Sequence, residues 1–339
     1  MNVERRPLGR VGSAEWDGLA RNSFFASRGF LELWRCKGGR PTAWVRIEGG
    51  RVVAAVPGVE FHRGPLTTFA SVPDGCYGGV LVAPGRAGER PEHARALLDA
   101  IARHGYAKVW VFDYHATAGV PAGYTLDRSE ALVADIAGED WAPPDAKLRA
   151  QIRKAEREGV RLEWFDWDRH HRGFLDLVAG SARLHHQRPR YPPALYRALA
   201  ELARRDERVR WVCCERDGRP VASHIYFREG DALQAWQSHL DRSFSHLKAN
   251  QYLRYTLCRE VARQGVRWLN LGSSPPQAVG LAKYKARWGG RPVGYACWTR
   301  RSGLAELLEA WRTRPGHGDA QLLAADAAPR AAGLPSDER

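Results

Sequence analysis

TAWVRIEGGRVVAAV (residues 42–56) and VRWVCCERDGRPVASHIYF (residues 209–227) state one structural pattern twice. In each, β-branched and aromatic residues run up to a short polar, glycine-bearing turn and then away from it, the pattern of a β-hairpin. The first reads as a strand Thr42–Ile47, a turn Glu48–Arg51 and a strand Val52–Val56; the second as Val209–Cys214, Glu215–Arg219 and Val221–Phe227. A further pair follows in the same order. A helical run Ala94–His104, Gly105 and a strand Lys108–Phe112 are echoed by Gln251–Gln264, Gly265 and Arg267–Leu271. Offsets of roughly 160–170 residues are too long for a solenoid repeat and match a duplicated domain. The expected fold class is α+β (mixed α/β), built as two similar domains.

A length of 339 residues fits about two domains, each able to bury its own core. No apolar run approaches the roughly 18–20 residues that span a bilayer, and Met1–Gly12 carries Arg5, Arg6 and Arg10 without an apolar stretch behind them. A cytoplasmic protein is expected. Cys36, Cys76, Cys213, Cys214, Cys258 and Cys297 form no CxxC pair and no disulfide framework, so reduced, mostly buried thiols are expected. The 52 Lys and Arg exceed the 38 Asp and Glu by 14, a balance that attracts polyanions at low salt. Arginine-rich, lysine-poor composition also follows from a GC-rich genome, so charge permits an RNA partner without requiring one.

The division expected along the chain is 1–142 for a first domain, 143–160 for a basic connector helix, 161–312 for a second domain and 313–339 for a disordered tail. In the connector, Asp145 is a helix N-cap, Leu148, Ile152 and Ala155 form one narrow apolar stripe, and Gly159 is the stop. Lys147, Arg149, Arg153, Lys154 and Arg157 surround that stripe, either as a solvated face or as a phosphate-contacting one. The Gly-rich stretch Pro73–Gly79, with Asp74, Tyr77 and Gly78, is either part of an acceptor pocket or a tight structural turn. Trp44, Trp110, Trp211, Trp236 and Trp268 all lie in expected strands and read as mainly core.

Near the end of the second domain, Leu271-Gly272-Ser273-Ser274 breaks an apolar strand, and Gly280–Gly290 follows as a short helix holding Tyr284 and Lys285 side by side. A cation is thereby placed at the open end of a sheet, where substrates of such enzymes sit. Ser273 and Trp236 border the same opening. The competing reading of Lys285 is an ordinary surface lysine. His239, with His224 and His246, is either a proton relay or a satisfied structural group. The doublets His170-His171 and His185-His186 lack metal-ligand spacing, so no metal is expected, and no GxSxG, Walker or HExxH motif occurs.

Taken together, Ser23-Phe24-Phe25 with Phe30 and Trp34, the hairpin Arg51–Pro57, the loop Asp74–Gly79, the connector Leu148–Val160, the run Gly265–Gly272, and Tyr284-Lys285 ahead of Gly289 resemble the FemABX family of aminoacyltransferases. These residues touch most of 20–300. The resemblance implies two fused GNAT-like domains, each a mostly antiparallel twisted sheet flanked by helices. It also implies an aromatic–lysine pair, usually Phe-Lys, at the acyl-transfer site, which here is Tyr284-Lys285. A desolvated ammonium there would steady the oxyanion of aminolysis. The implied donor is aminoacyl-tRNA, with the basic connector tracking its phosphates, the implied acceptor is an amine such as a peptidoglycan precursor, and no cofactor is implied. The family's long coiled-coil arm is absent from this chain.

Acetyl-coenzyme A is the alternative donor. GNAT enzymes hold its pyrophosphate in a [QR]-x-x-G-x-[GA] turn after the fourth strand. Gln277–Ala282 satisfies that string, but one element too late, and the stretch His239–Asn250 at the expected place contains no glycine. A third reading is a non-catalytic RNA-binding module.

Overall fold

In the computed structural model the described residues are 2–74, 76, 78–113, 122–184, 186–275, 277–303 and 305. Tyr77 and the expected tail lie outside them. The described residues form two compact units, one holding those up to Ser129 and those from Gly294 to Ala305, the other running from Glu130 to Val293.

The first unit contains β1 (Asn2–Pro7), α1 (Ser13–Ala20), α2 (Arg28–Glu32), β2 (Gly39–Glu48), β3 (Arg51–Arg63), β4 (Leu66–Ala70), β5 (Leu81–Val82), α3 (Arg90–Arg103) and β6 (Lys108–Asp113), and then the start of β7 (Thr125–Asp135). The second takes the rest of β7, α4 (Ala146–Arg157), β8 (Glu163–Trp164), α5 (Trp167–Leu184), α6 (Pro193–Ala203), β9 (Val209–Arg216), β10 (Arg219–Glu229), β11 (Ala232–Leu240), α7 (Ala249–Arg263), β12 (Trp268–Ser273) and α8 (Val279–Arg287). The closing strand β13 (Arg291–Arg301) returns to the first unit from Gly294.

Both units repeat one sheet order. In the first it is β1-β2-β3-β4-β6-β13, antiparallel throughout except for the parallel pair β4 and β6. In the second it is β8-β9-β10-β11-β12-β7, antiparallel except for β11 and β12. A parallel pair needs a crossover, and α3 and α7 supply it. The duplicated hairpins turn on Gly49-Gly50 and Asp217-Gly218, all four residues left-handed (φ +54°, +77°, +51° and +72°), the geometry whose twist matches the strands it joins.

The linear division at residues 142 and 161 is corrected by these pairings. Strand β12 finds its antiparallel partner in Ala131–Asp135, ahead of the connector, and β6 finds its own in Ala296–Arg301, after the second unit. Each sheet is closed by a strand that a boundary drawn from composition assigns elsewhere.

Each core lies between one sheet face and its crossover helix. In the first unit Ala94, Leu97, Leu98 and Ile101 of α3 pack on Trp44, Val56, Phe69 and Val109. In the second, Leu253, Leu257, Cys258 and Val261 of α7 share a core with Leu148, Ile152 and Ala155 of α4 and with Tyr226 and Leu269. The helix α4 forms as expected: the Asp145 carboxylate accepts the Leu148 N–H at 2.6 Å, and Gly159 (φ +72°) follows its end. Trp44 and Trp211 are buried, whereas Trp110, Trp236 and Trp268 are only half-buried. No helix among the described residues is long and apolar enough to cross a membrane.

Candidate functional site

The end of β12 is shaped by its own side chains. Buried Asn270 accepts the Gly272 N–H on Oδ1 at 2.8 Å, and Gly272 is left-handed (φ +73°), so the chain turns out of the sheet at this point. The carbonyls of Gly272 and Ser273 then point at Lys285 on α8. The Lys285 Nζ donates to them at 3.1 and 2.7 Å. Its residue is only 6% exposed, so the surface-lysine reading falls. Two of the three ammonium hydrogens are used, and the third has no partner among the described residues. Burial, and secondarily the charge of Arg254, lowers the Lys285 pKa to about 8. Gly289 (φ +86°) closes the helix, and Gly290 follows so tightly that a Cβ there would lie 2.8 Å from the Lys285 carbonyl oxygen.

A second cation stands behind the first. On α7, Asn250, Leu253, Arg254, Leu257, Cys258 and Val261 are all buried, so Arg254 occupies a core position of the helix stripe. Its Nε donates to the Tyr226 hydroxyl at 3.0 Å, its Nη1 to the Tyr284 hydroxyl at 3.3 Å and its Nη2 to Ser238 Oγ at 3.4 Å. The guanidinium also lies 5.6 Å from the Tyr284 ring centre and 5.2 Å from that of Trp288. No carboxylate among the described residues pairs with it. The network continues inward, where the Tyr226 hydroxyl donates to His224 Nδ1 at 3.0 Å and His224 Nε2 donates to Asn250 Oδ1 at 2.9 Å. Burial drives the His224 pKa down to about 3, so this imidazole is neutral.

The site lies where the sheet opens. Strands β11 and β12 pair only from Ala232 with Trp268 to Gln234 with Asn270, although β11 continues to Leu240. Strand β11 also bulges, with Trp236 the extra residue between Ala235 and Gln237 in its pairing with β10. The candidate residues divide between the two faces of β11. Ser238 faces α7 and Arg254. His239 faces α5 and α6, its ring 5.8 Å from that of Phe174 and its Nε2 3.1 Å from Gln237 Oε1, which also accepts from the Tyr196 hydroxyl at 3.0 Å. Burial lowers the His239 pKa to about 4. Trp236 packs on Tyr191 and Phe227 with ring centres 4.9 and 5.2 Å apart, on the same side as His239.

Thus Lys285, Tyr284 and Ser273 come together, and His239 and Trp236 stand on the other face of β11. Asp74 and Gly78 belong to the first unit. There Asp74 is left-handed (φ +63°), and a Cβ on Gly78 would sit 2.5 Å from Ser71 Oγ and 2.7 Å from the Ser71 carbonyl carbon. The Gly78 N–H donates to the Phe112 carbonyl at 3.1 Å, so this glycine serves close backbone packing. On α4, Lys147, Arg153 and Arg157 are exposed and Lys154 is half-buried. Arg149 is engaged, its Nη1 donating to the carbonyls of Pro143 and Pro144 at 2.9 and 2.6 Å.

The place where a GNAT fold would cradle a pyrophosphate is filled by an acidic cap. After β11, Asp241 Oδ1 accepts the Ser243 N–H at 3.0 Å and the Ser243 hydroxyl at 2.7 Å, and the Phe244 N–H donates to the Asp241 carbonyl at 3.0 Å. The carboxylate takes the Ser243 N–H and hydroxyl and the Asp241 carbonyl takes the Phe244 N–H, so these two amides are already engaged. The string Gln277–Ala282 lies beyond β12, at the start of α8.

Sequence reasoning overlooked Arg254, Tyr226 and Asn270. The signal for Arg254 was present: a cation in the i, i+3, i+4, i+7 stripe formed by Asn250, Leu253, Leu257, Cys258 and Val261.

Residues 145–286 match the family described as acetyltransferase (GNAT) domain, a segment that includes Lys285. No curated protein matches the chain significantly. Among solved structures, the chain is similar to FemX (TM-score 0.64, 11% identity, 86% of this chain and 96% of that one). It is similar also to L-PGS from Bacillus licheniformis (TM-score 0.55, 12% identity, 89% and 95%). A third likeness is to a tandem GNAT protein from the clavulanic acid biosynthesis pathway (TM-score 0.50, 15% identity, 89% and 99%). At these identities the likeness is one of fold. It bears out the expected GNAT-type fold, and the match over residues 145–286 bears out an acyltransferase domain.

Proposed function

We propose that this chain is an N-acyltransferase that moves an amino acid from aminoacyl-tRNA to an amine acceptor, with Lys285 as the group that steadies the reacting carbonyl. The observation that carries this reading is a buried ammonium, fixed by two backbone carbonyls at the end of β12, with one N–H left over. When an amine attacks an ester, the carbonyl oxygen becomes an oxyanion; a fixed N–H in a poorly solvated site stabilises that charge far more than water does. Tyr284, the preceding residue, is held by Arg254. The tetrahedral adduct then expels the ribose oxygen of the donor, and the proton lost by the amine goes to that oxygen or to solvent.

Three features favour tRNA over a coenzyme A thioester. Asp241 engages the Ser243 N–H and hydroxyl where a phosphate cradle is expected, α4 presents Lys147, Arg153 and Arg157 outward, and the formal charge of +14 attracts a polyanion. The acceptor would be a peptidoglycan precursor, a peptide or another small amine, and a cytoplasmic setting follows from such a donor.

The family description of residues 145–286 keeps acetyl transfer from coenzyme A as the second reading. One assay separates the two. Purified protein is incubated with a mixture of amines and either labelled aminoacyl-tRNA or labelled acetyl-coenzyme A, with and without RNase. RNase-sensitive transfer from the tRNA ester is expected; RNase-insensitive transfer from the thioester supports the second reading, and binding of tRNA without turnover overturns both.

A further inference from the structure

Arg254 is the feature of the second unit that the proposed chemistry does not yet use. A guanidinium in a protein core is normally matched by a carboxylate, because burying an unpaired charge is costly. Arg254, 4% exposed, has instead three hydroxyl oxygens and two aromatic faces. Such a site retains the charge without cancelling it, since neutral hydroxyls and ring quadrupoles stabilise a cation but leave its field intact.

We propose that Arg254 is the positioning residue for Lys285: it ties Tyr284 to α7 through hydrogen bond and ring contact, and sets an uncancelled positive charge behind the neighbouring ammonium. Its catalytic meaning rests on the role given to Lys285 above. The mechanical half follows from chain connectivity. Tyr284 and Lys285 are successive residues of one helical turn, so a grip on the tyrosine hydroxyl fixes the rotation of α8 and with it the aim of the lysine at the Gly272 and Ser273 carbonyls. Trp288, one turn further, is stacked on the same guanidinium and is fully buried, which anchors the helix a second time.

The electrostatic half follows from which charges face the ammonium. From α7 the charged group is Arg254. From β10 and β11 come Tyr226, His224 and Ser238, all neutral, and β12 contributes backbone carbonyls. On α8 itself Lys283 is exposed to water, and Arg287 is paired with Asp145 at 3.1 Å. Arg254 is thus the charge that acts on Lys285, adding to the effect of burial. Repulsion between two like charges disfavours the charged lysine, and an oxyanion arriving at the ammonium relieves that repulsion. The site is thereby made selective for the moment at which negative charge develops.

The test reads Lys285 directly and needs no substrate. Protein carrying 13Cε-labelled lysine is titrated by NMR, the Lys285 resonance being assigned with Lys285→Arg. In Arg254→Met, which keeps length and apolar bulk, the Lys285 midpoint is expected to move alkaline by about one pH unit. In Arg254→Lys, which keeps the charge and loses the fork, the midpoint is expected to stay low. A folded Arg254→Met protein with an unchanged midpoint overturns the proposal. If that variant does not fold, Arg254→Lys decides: a midpoint that rises to the ordinary lysine range despite the retained charge overturns it too. Because the readout is a titration, it holds or fails separately from whether the chain transfers amino acids.

Discussion

At the scale of single residues, the account turns on Lys285. Lys285→Ala is expected to lower the transfer rate by about 10² or more, as loss of an oxyanion donor does, with little change in acceptor KM; steady-state kinetics on purified variants check this. The donor must be protonated, so the rate is expected to fall as pH rises through about 8, and this alkaline limb should vanish in Lys285→Arg. Gly78→Ala is expected to destabilise the first unit by about 1–3 kcal/mol, because the new methyl meets Ser71 backbone atoms that cannot give way, and denaturant unfolding measures it. Lys285 was legible because a strand, a small-residue break and an aromatic–lysine pair occur in order. Arg254 was not, since in a string of letters a core arginine looks like a solvated one until its helix stripe is drawn. His239 borders the same strand, but period-2 alternation and the bulge at Trp236 turn it to the opposite face from Arg254.

At the scale of elements, α4 is the clearest case. Its cap, stripe and stop were all readable, because each is a local signal: Asp145 on the Leu148 N–H, apolar residues at i, i+4 and i+7, and a left-handed glycine. Asp145→Ala is expected to cost about 1 kcal/mol in a chemical melt by removing the cap, and somewhat more because Arg287 loses its partner. The outward face is separable from that stability. A triple Lys147→Glu, Arg153→Glu, Arg157→Glu protein is expected to keep its melting temperature and lose tRNA affinity, with a shallower dependence of log Kd on log salt. Unchanged binding and slope would remove α4 from the tRNA interface. Strand β13 was less legible than α4, since its partner β6 lies far back in the sequence.

At the scale of the whole chain, duplication was legible and the boundaries were not. Two hairpins and two helix–glycine–strand runs announce the repeat, but the strand that closes each sheet is assigned by hydrogen bonding over distances no local pattern reports. A fragment 130–293 is therefore expected to melt cooperatively, whereas 143–293, which lacks Ala131–Asp135, should lose that transition; circular dichroism distinguishes them. Acid should also weaken the fold. His224 and His239 titrate near 3 and 4 when folded and near 6.5 when unfolded, so the unfolded chain takes up protons that the fold refuses as pH drops from 6.5 toward 4. Stability is expected to fall across that window, and His224→Gln should flatten the slope if its neutral network survives. The central claim, a buried lysine that steadies acyl transfer from charged tRNA, is tested most directly by single-turnover transfer from labelled aminoacyl-tRNA with wild-type and Lys285→Ala proteins side by side. Expected is transfer by the wild type and a drop of about 10² or more in the variant at unchanged tRNA binding; equal rates in the two proteins would contradict it.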